Sequence, residues 1–169
     1  MDFPKFQRLV EDRTGFRTME DPTASGEYFS DSCGDMYNFF LKVGPGAVIE
    51  DISYFTTGCG FGTATCSLVV DLAKGKTIDA AAAISAADVE VQLGGYPEKK
   101  KDYPERALEA LHVAIDDYRA KVVEGKIPDY GTMAAPELPG RRENADEGAP
   151  VAAPVNGGTD DGKLLIRLR

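Results

Sequence analysis

Met36-Tyr37-Asn38-Phe39-Phe40-Leu41-Lys42-Val43-Gly44-Pro45-Gly46-Ala47-Val48-Ile49-Glu50-Asp51-Ile52-Ser53-Tyr54-Phe55-Thr56-Thr57 decides the fold. Tyr37, Phe39, Leu41 and Val43 alternate with other residues at the two-residue period of a strand that buries one face. Gly44-Pro45-Gly46 is turn chemistry, and Val48 to Thr57 reads as the returning strand. Upstream, Gly26 to Ser32 reads as another strand, which predicts a three-stranded antiparallel meander.

Outward from the meander the period changes from two to that of a helix. Phe3 to Asp12 reads as a short amphipathic helix, followed by a polar, turn-rich stretch. After the glycines around Cys59, the spacing Ala64, Leu68, Leu72 fits one helical face ending near Lys74-Gly75-Lys76. Thr77 caps a short alanine-rich helix, and Ser85 with Asp88 three residues on starts another that ends at Gly94-Gly95. Tyr96 to Tyr103 reads as a basic loop. Pro104 suits the first turn of a long helix whose Leu108, Leu111, Ile115, Tyr118 and Val122 form one apolar face. The fold class expected is α+β, a three-stranded antiparallel sheet packed by helices on one face. The expected domain is 1–128. Residues 129–169 show no packing period and read as a flexible, disordered C-terminal tail. Its last segment, Lys163-Leu164-Leu165-Ile166-Arg167-Leu168-Arg169, reads either as a peptide that docks on a partner or as a frayed terminus.

With 169 residues, 43% of them hydrophobic, the chain suits one compact domain and an extension. A formal net charge of −9 argues against general affinity for nucleic acid or an anionic membrane. No apolar run approaches the roughly 20 residues of a membrane span, and Met1-Asp2-Phe3-Pro4-Lys5 lacks the apolar segment of a signal peptide, so the cytoplasm is expected. Three cysteines cannot all pair internally, and free thiols suit a reducing compartment.

Two of them sit in glycine-flanked settings, Ser32-Cys33-Gly34-Asp35 and Gly58-Cys59-Gly60-Phe61-Gly62. The meander returns Thr57 to the neighbourhood of Ser32, so both sulfurs are expected at one end of the sheet. Cys59 precedes a helix expected to begin near Thr63, where the helix dipole favours thiolate. Asp35, on the same face of an extended segment as Cys33, can add a carboxylate. Soft sulfur donors favour zinc, copper(I) or iron–sulfur clusters. The blander readings are a turn or cap for Asp35 and small apolar fillers for the cysteines. Cys66 is expected to pack inside its helix, and His112 to lie on the surface.

In order and spacing these motifs resemble the U-type iron–sulfur cluster assembly scaffolds, the NifU N-terminal and IscU-like proteins. The resemblance runs from about Gly26 to Lys121. It is carried by Cys33-Gly34-Asp35, Thr57-Gly58-Cys59-Gly60, Ser67-Leu68-Val69, Lys74-Gly75-Lys76-Thr77-Ile78 and Ala114-Ile115-Asp116-Asp117-Tyr118. It implies a labile two-iron, two-sulfur (2Fe-2S) cluster or iron held by Cys33, Asp35 and Cys59, with zinc as an alternative occupant. It also implies a cysteine desulfurase and iron–sulfur acceptor proteins as partners. The family's third cysteine aligns with Tyr103 and the preceding histidine with Asp102, so Asp102 becomes an oxygen ligand in this reading, or else a cap for the helix at Pro104. Neither a phenol nor a carboxylate can carry the persulfide that the third cysteine accepts. Lys99-Lys100-Lys101 replaces the apolar and proline pattern that engages a dedicated chaperone. The reading is therefore a scaffold or carrier, not an enzyme. A non-enzymatic adaptor with a degenerate scaffold fold, or a zinc-bound sulfur acceptor, is the alternative.

Overall fold

The computed structural model describes residues 1–134. Strands β1 (Ala24–Ser30), β2 (Asp35–Gly44) and β3 (Val48–Thr56) form an antiparallel sheet in the order β1-β2-β3. Tyr37, Phe39, Leu41 and Val43 of β2 are all buried, as their alternation predicts. A register shift between Lys42 and Val43 bulges β3. The shift lets both Ile49 and Ile52 enter the core although they are an odd number of residues apart.

The helices are α1 (Phe3–Asp12), α2 (Gly60–Ala73), α3 (Ile78–Ala82), α4 (Ala86–Leu93) and α5 (Tyr103–Val123). Helix α5 packs on β1 and β2, and α2 packs on β3 and α5. The buried Leu108, Leu111, Ile115 and Tyr118 of α5 match the predicted apolar face. Helix α4 carries the predicted capping box: the Ser85 hydroxyl accepts from the Asp88 N–H at 3.2 Å, and Asp88 accepts from the Ser85 N–H at 2.8 Å. The outer edge of β3 is covered, since Tyr54 exchanges backbone hydrogen bonds with Gly15 and Arg17, and Ile49 does so with Gly75 and Lys76.

Among the described glycines the tightest approach of backbone to backbone lies where β1 crosses α5. A Cβ built on Gly26 would stand 2.1 Å from the Ala114 backbone nitrogen and 2.6 Å from the Ala110 carbonyl oxygen. Only a residue without a side chain lets strand and helix meet there. Beside it the Ser25 N–H donates to Asp117 at 3.0 Å, and Asp117 also accepts from Lys121.

The chain departs from the sequence reading beyond Pro128. Asp129 caps a short turn at Tyr130–Thr132, and the Gly46 N–H donates to the Met133 carbonyl at 2.9 Å. Ile127 and Tyr130 pack against the core as single anchors, which no periodicity reveals. The rest of the expected tail, 135–169 with the peptide Lys163 to Arg169, lies outside the described residues. No described helix is long and apolar enough to cross a membrane.

Candidate functional site

Strand pairing brings the candidate ligands to one end of the sheet. Ser30 pairs with Asp35 across a turn of residues 31–34, and Tyr37 pairs with Thr56. The Thr57 N–H donates to the Met36 carbonyl at 3.2 Å, so the chain leaving β3 toward Cys59 runs beside the start of β2. Cys33 and Asp35 do not lie on an extended segment as the sequence suggested. Gly34 has φ 70, and the N–H groups of Cys33 and Gly34 both donate to the Ser30 carbonyl. The tight turn still joins the two side chains, with the Cys33 thiol 3.1 Å from Asp35 Oδ2. A Cβ on Gly58 would lie 3.3 Å from that carboxylate, so Asp35 faces the Gly58-Cys59 segment.

Cys59 is the N-cap of α2, which begins at Gly60 rather than near Thr63. The glycines around it let the first turn close immediately. Its sulfur is exposed and lies 3.4 Å from the Tyr103 hydroxyl, which also accepts from Lys100 Nζ at 3.0 Å. Burial pushes the Cys59 thiol up. The Tyr103 hydroxyl, the Gly62 and Phe61 N–H groups and the Lys100 charge outweigh that effect, leaving it below the ordinary thiol value. Burial, then Cys59, holds the Tyr103 phenol above its usual value, so it stays protonated as a donor at neutral pH.

Asp102 precedes α5 without capping it; its side chain makes an ion pair with Arg106 one turn on. Arg106 Nη1 donates to Cys33 Sγ at 2.7 Å, and Nη2 donates to Ser32 Oγ at 2.9 Å and to Asp102. The guanidinium also stacks 5.1 Å from the centre of the Tyr103 ring. Beneath, Tyr37 is fully buried beside Arg106, with no hydrogen bond of ordinary geometry to its hydroxyl among the described residues.

The structure thus groups Cys33 with Asp35, Arg106 and Asp102, and Cys59 with Tyr103 and Lys100. Among the described residues no three Cys, His, Asp or Glu side chains are gathered closely enough to hold one ion. Cys66 is fully buried, its thiol pushed up by desolvation, and it packs in the core. His112 lies apart from the cysteines' contacts, its Nε2 3.2 Å from the Ala82 carbonyl oxygen. Arg106, Lys100 and Tyr37 were not singled out from the sequence as site residues. The four-residue spacing of Asp102 and Arg106 and the three-residue spacing of Lys100 and Tyr103 were the available signals.

Residues 10–125 match the model of the NifU-like N terminal domain. The chain belongs to that family. It is 40% identical over 116 residues to an iron-sulfur cluster assembly scaffold protein IscU of Aquifex aeolicus (strain VF5), covering 66% of this chain and 74% of the relative. It is 35% identical over 106 residues to IscU of Escherichia coli (strain K12), covering 63% and 82%. Two solved structures share the fold. A NifU-like N-terminal protein from Brucella abortus has a TM-score of 0.54 at 18% identity, covering 69% of this chain and 93% of that one. A putative scaffold protein for the SUF system from Fervidobacterium islandicum AW-1 has a TM-score of 0.53 at 17% identity, covering 66% and 93%.

Proposed function

We propose that this protein is an iron–sulfur cluster assembly scaffold or carrier, which holds iron or a labile 2Fe-2S cluster as cargo and passes it to acceptor proteins. One observation carries the reading. In a chain of the NifU-like family, Cys33 and Asp35 stand at the sheet end that Gly58-Cys59 also reaches, each cysteine exposed and in no disulfide. Two soft thiolates and one harder carboxylate are a mixed donor set suited to iron bound with sulfide. Cys33 with Asp35 forms one donor pair and Cys59 stands apart with Tyr103, a division that suits a two-iron cargo better than a single tetrahedral ion.

Lys100 and Arg106 bring positive charge to the sulfurs and offset the repulsion among the anionic ligands. The sulfur of the cargo is drawn from a cysteine desulfurase, and the protein works in a reducing compartment, the cytoplasm, where the thiols stay free. Tyr103 takes no persulfide, so sulfur reaches this site by a route that does not use that position. The peptide Lys163 to Arg169 serves as a docking element for a partner.

Anaerobic loading with ferrous iron and sulfide tests the reading. A 2Fe-2S absorption spectrum with matching iron and acid-labile sulfide, transferable to an apo-ferredoxin, is expected. Protein that takes up zinc but never iron with sulfide would refute it.

A further inference from the structure

Arg106 has few alternatives to its observed position. Its side chain is only 13% exposed, packed over the Tyr103 ring, tied to Asp102 and donating to Ser32 Oγ and Cys33 Sγ. A guanidinium keeps its proton at any pH the fold meets, so it is a permanent cation. A guanidinium carries five N–H donors in a fixed fork. Nη2 donates to both Ser32 and Asp102 while Nη1 donates to Cys33, which leaves donor capacity at Nη1 beside the Cys33 sulfur.

The other donors around the site point the same way. The Tyr103 hydroxyl reaches Cys59, and the buried Tyr37 hydroxyl beside Arg106 has no acceptor of ordinary geometry among the described residues. The wall behind the two cysteines is rich in hydrogen-bond donors and carries a fixed cation. A bare divalent ion has no use for such a wall: it carries no lone pairs, and a cation 2.7 Å from one of its ligand sulfurs opposes it. A sulfide-bridged cluster carries anionic sulfur that accepts N–H and O–H hydrogen bonds, and such bonds set its stability and potential.

We propose that Arg106, fixed by Asp102 and Ser32, is the specificity residue of this site, favouring cargo that brings its own anionic sulfur over a bare divalent metal ion. The role rests on the scaffold reading above and deepens it. In this account Asp102 acts by anchoring Arg106, so its carboxylate is a positioning group.

The test compares two cargoes in Arg106→Gln, Arg106→Lys, Asp102→Asn and the parent protein, all full length and anaerobic. Cluster release to excess chelator is followed by loss of visible absorbance. Cd2+ affinity of the apo-protein is measured by competition, using the thiolate-to-metal band. Losing one charge-assisted hydrogen bond should speed cluster release in Arg106→Gln roughly tenfold. Cd2+ binding should be unchanged or tighter. Arg106→Lys should lie between, since a lysine keeps the charge and loses the fork. Asp102→Asn should shift both readouts in the same sense by a smaller factor, and it decides the matter if thermal melts show that Arg106→Gln does not fold. Cluster release unchanged in Arg106→Gln and Asp102→Asn, or both cargoes weakened by the same factor, overturns the proposal. A parent protein that binds Cd2+ but never loads a cluster refutes the scaffold reading itself, and the specificity role falls with it.

Discussion

Gly26→Ala should destabilise the protein more than any other single-methyl addition at its glycines. The new Cβ would sit 2.1 Å from the Ala114 nitrogen, 2.6 Å from the Ala110 carbonyl oxygen and 2.7 Å from the Ala114 Cα, all backbone of α5. No rotamer change can relieve a clash between two backbones, so strand and helix must separate. Overpacking of a dense core costs typically 1–3 kcal/mol, and a rigid backbone neighbour puts this case at the upper end, about 3 kcal/mol. For a fold of this size that corresponds to a loss of roughly 10 °C in melting temperature. Gly34 is the control. Nothing lies within 4 Å of its Cβ position, but its φ of 70 is left-handed, so Gly34→Ala should cost only about 1 kcal/mol and Gly34→Asn less. Paired thermal melts by circular dichroism decide between the two mechanisms. A Gly26→Ala protein melting within about 2 °C of the parent would refute the close-approach reasoning.

Cys33→Ala and Cys59→Ala should each abolish stable cluster loading, measured as iron and sulfide after anaerobic reconstitution; wild-type content in both would remove the shared site. Tyr103→Cys should hold a loaded cluster longer and give a more thiolate-rich absorption spectrum, since it adds a sulfur donor 44 residues along from Cys59 but beside it in space. The buried Tyr54 and Tyr96 phenols, each pushed up to about 12 by desolvation, bear on stability at high pH. Both stay neutral in the fold, so the stability they hold is intact below the unfolded value near 10 and is lost as pH rises from there through the folded value. Phenolate absorbance rising together with unfolding above pH about 10 is the expected result, and ordinary titration of these two phenols in intact protein would contradict it.

The sheet and most helices were legible because each has a period the core enforces. Tyr37 to Val43 alternates since one face of β2 is buried, and α5 repeats at helical spacing since one face meets the sheet. The end of the domain was not legible, because Ile127, Tyr130 and Met133 are held by local packing and hydrogen bonds that follow no repeating period. At the site, glycine-flanked Cys33 and Cys59 were conspicuous by type and setting, and the meander placed them at one end. The cations were hidden for a different reason. Lys100 and Arg106 look like ordinary helix-start and helix-surface charges, and only the packing of α5 against β1 turns Arg106 inward onto Cys33. The close approach at Gly26 is what permits that packing, so a residue in a strand sets the position of a charge at the site.

On the proposed reading, that linkage accounts for the two departures from the family pattern together. Tyr103 has no sulfur to offer, but its hydroxyl donates to Cys59 and its ring supports Arg106. Asp102 has no imidazole, but its carboxylate fixes the same guanidinium. Both positions therefore contribute through Arg106 and hydrogen bonds to sulfur. On this reading Cys33, Asp35 and Cys59 supply fewer protein donors than a fully cysteine-ligated cluster has, and an exchangeable donor such as water or a small thiol completes it. A cluster completed by an exchangeable donor leaves by ligand substitution without any protein thiolate having to be released first, which is what a carrier that gives up its cargo needs.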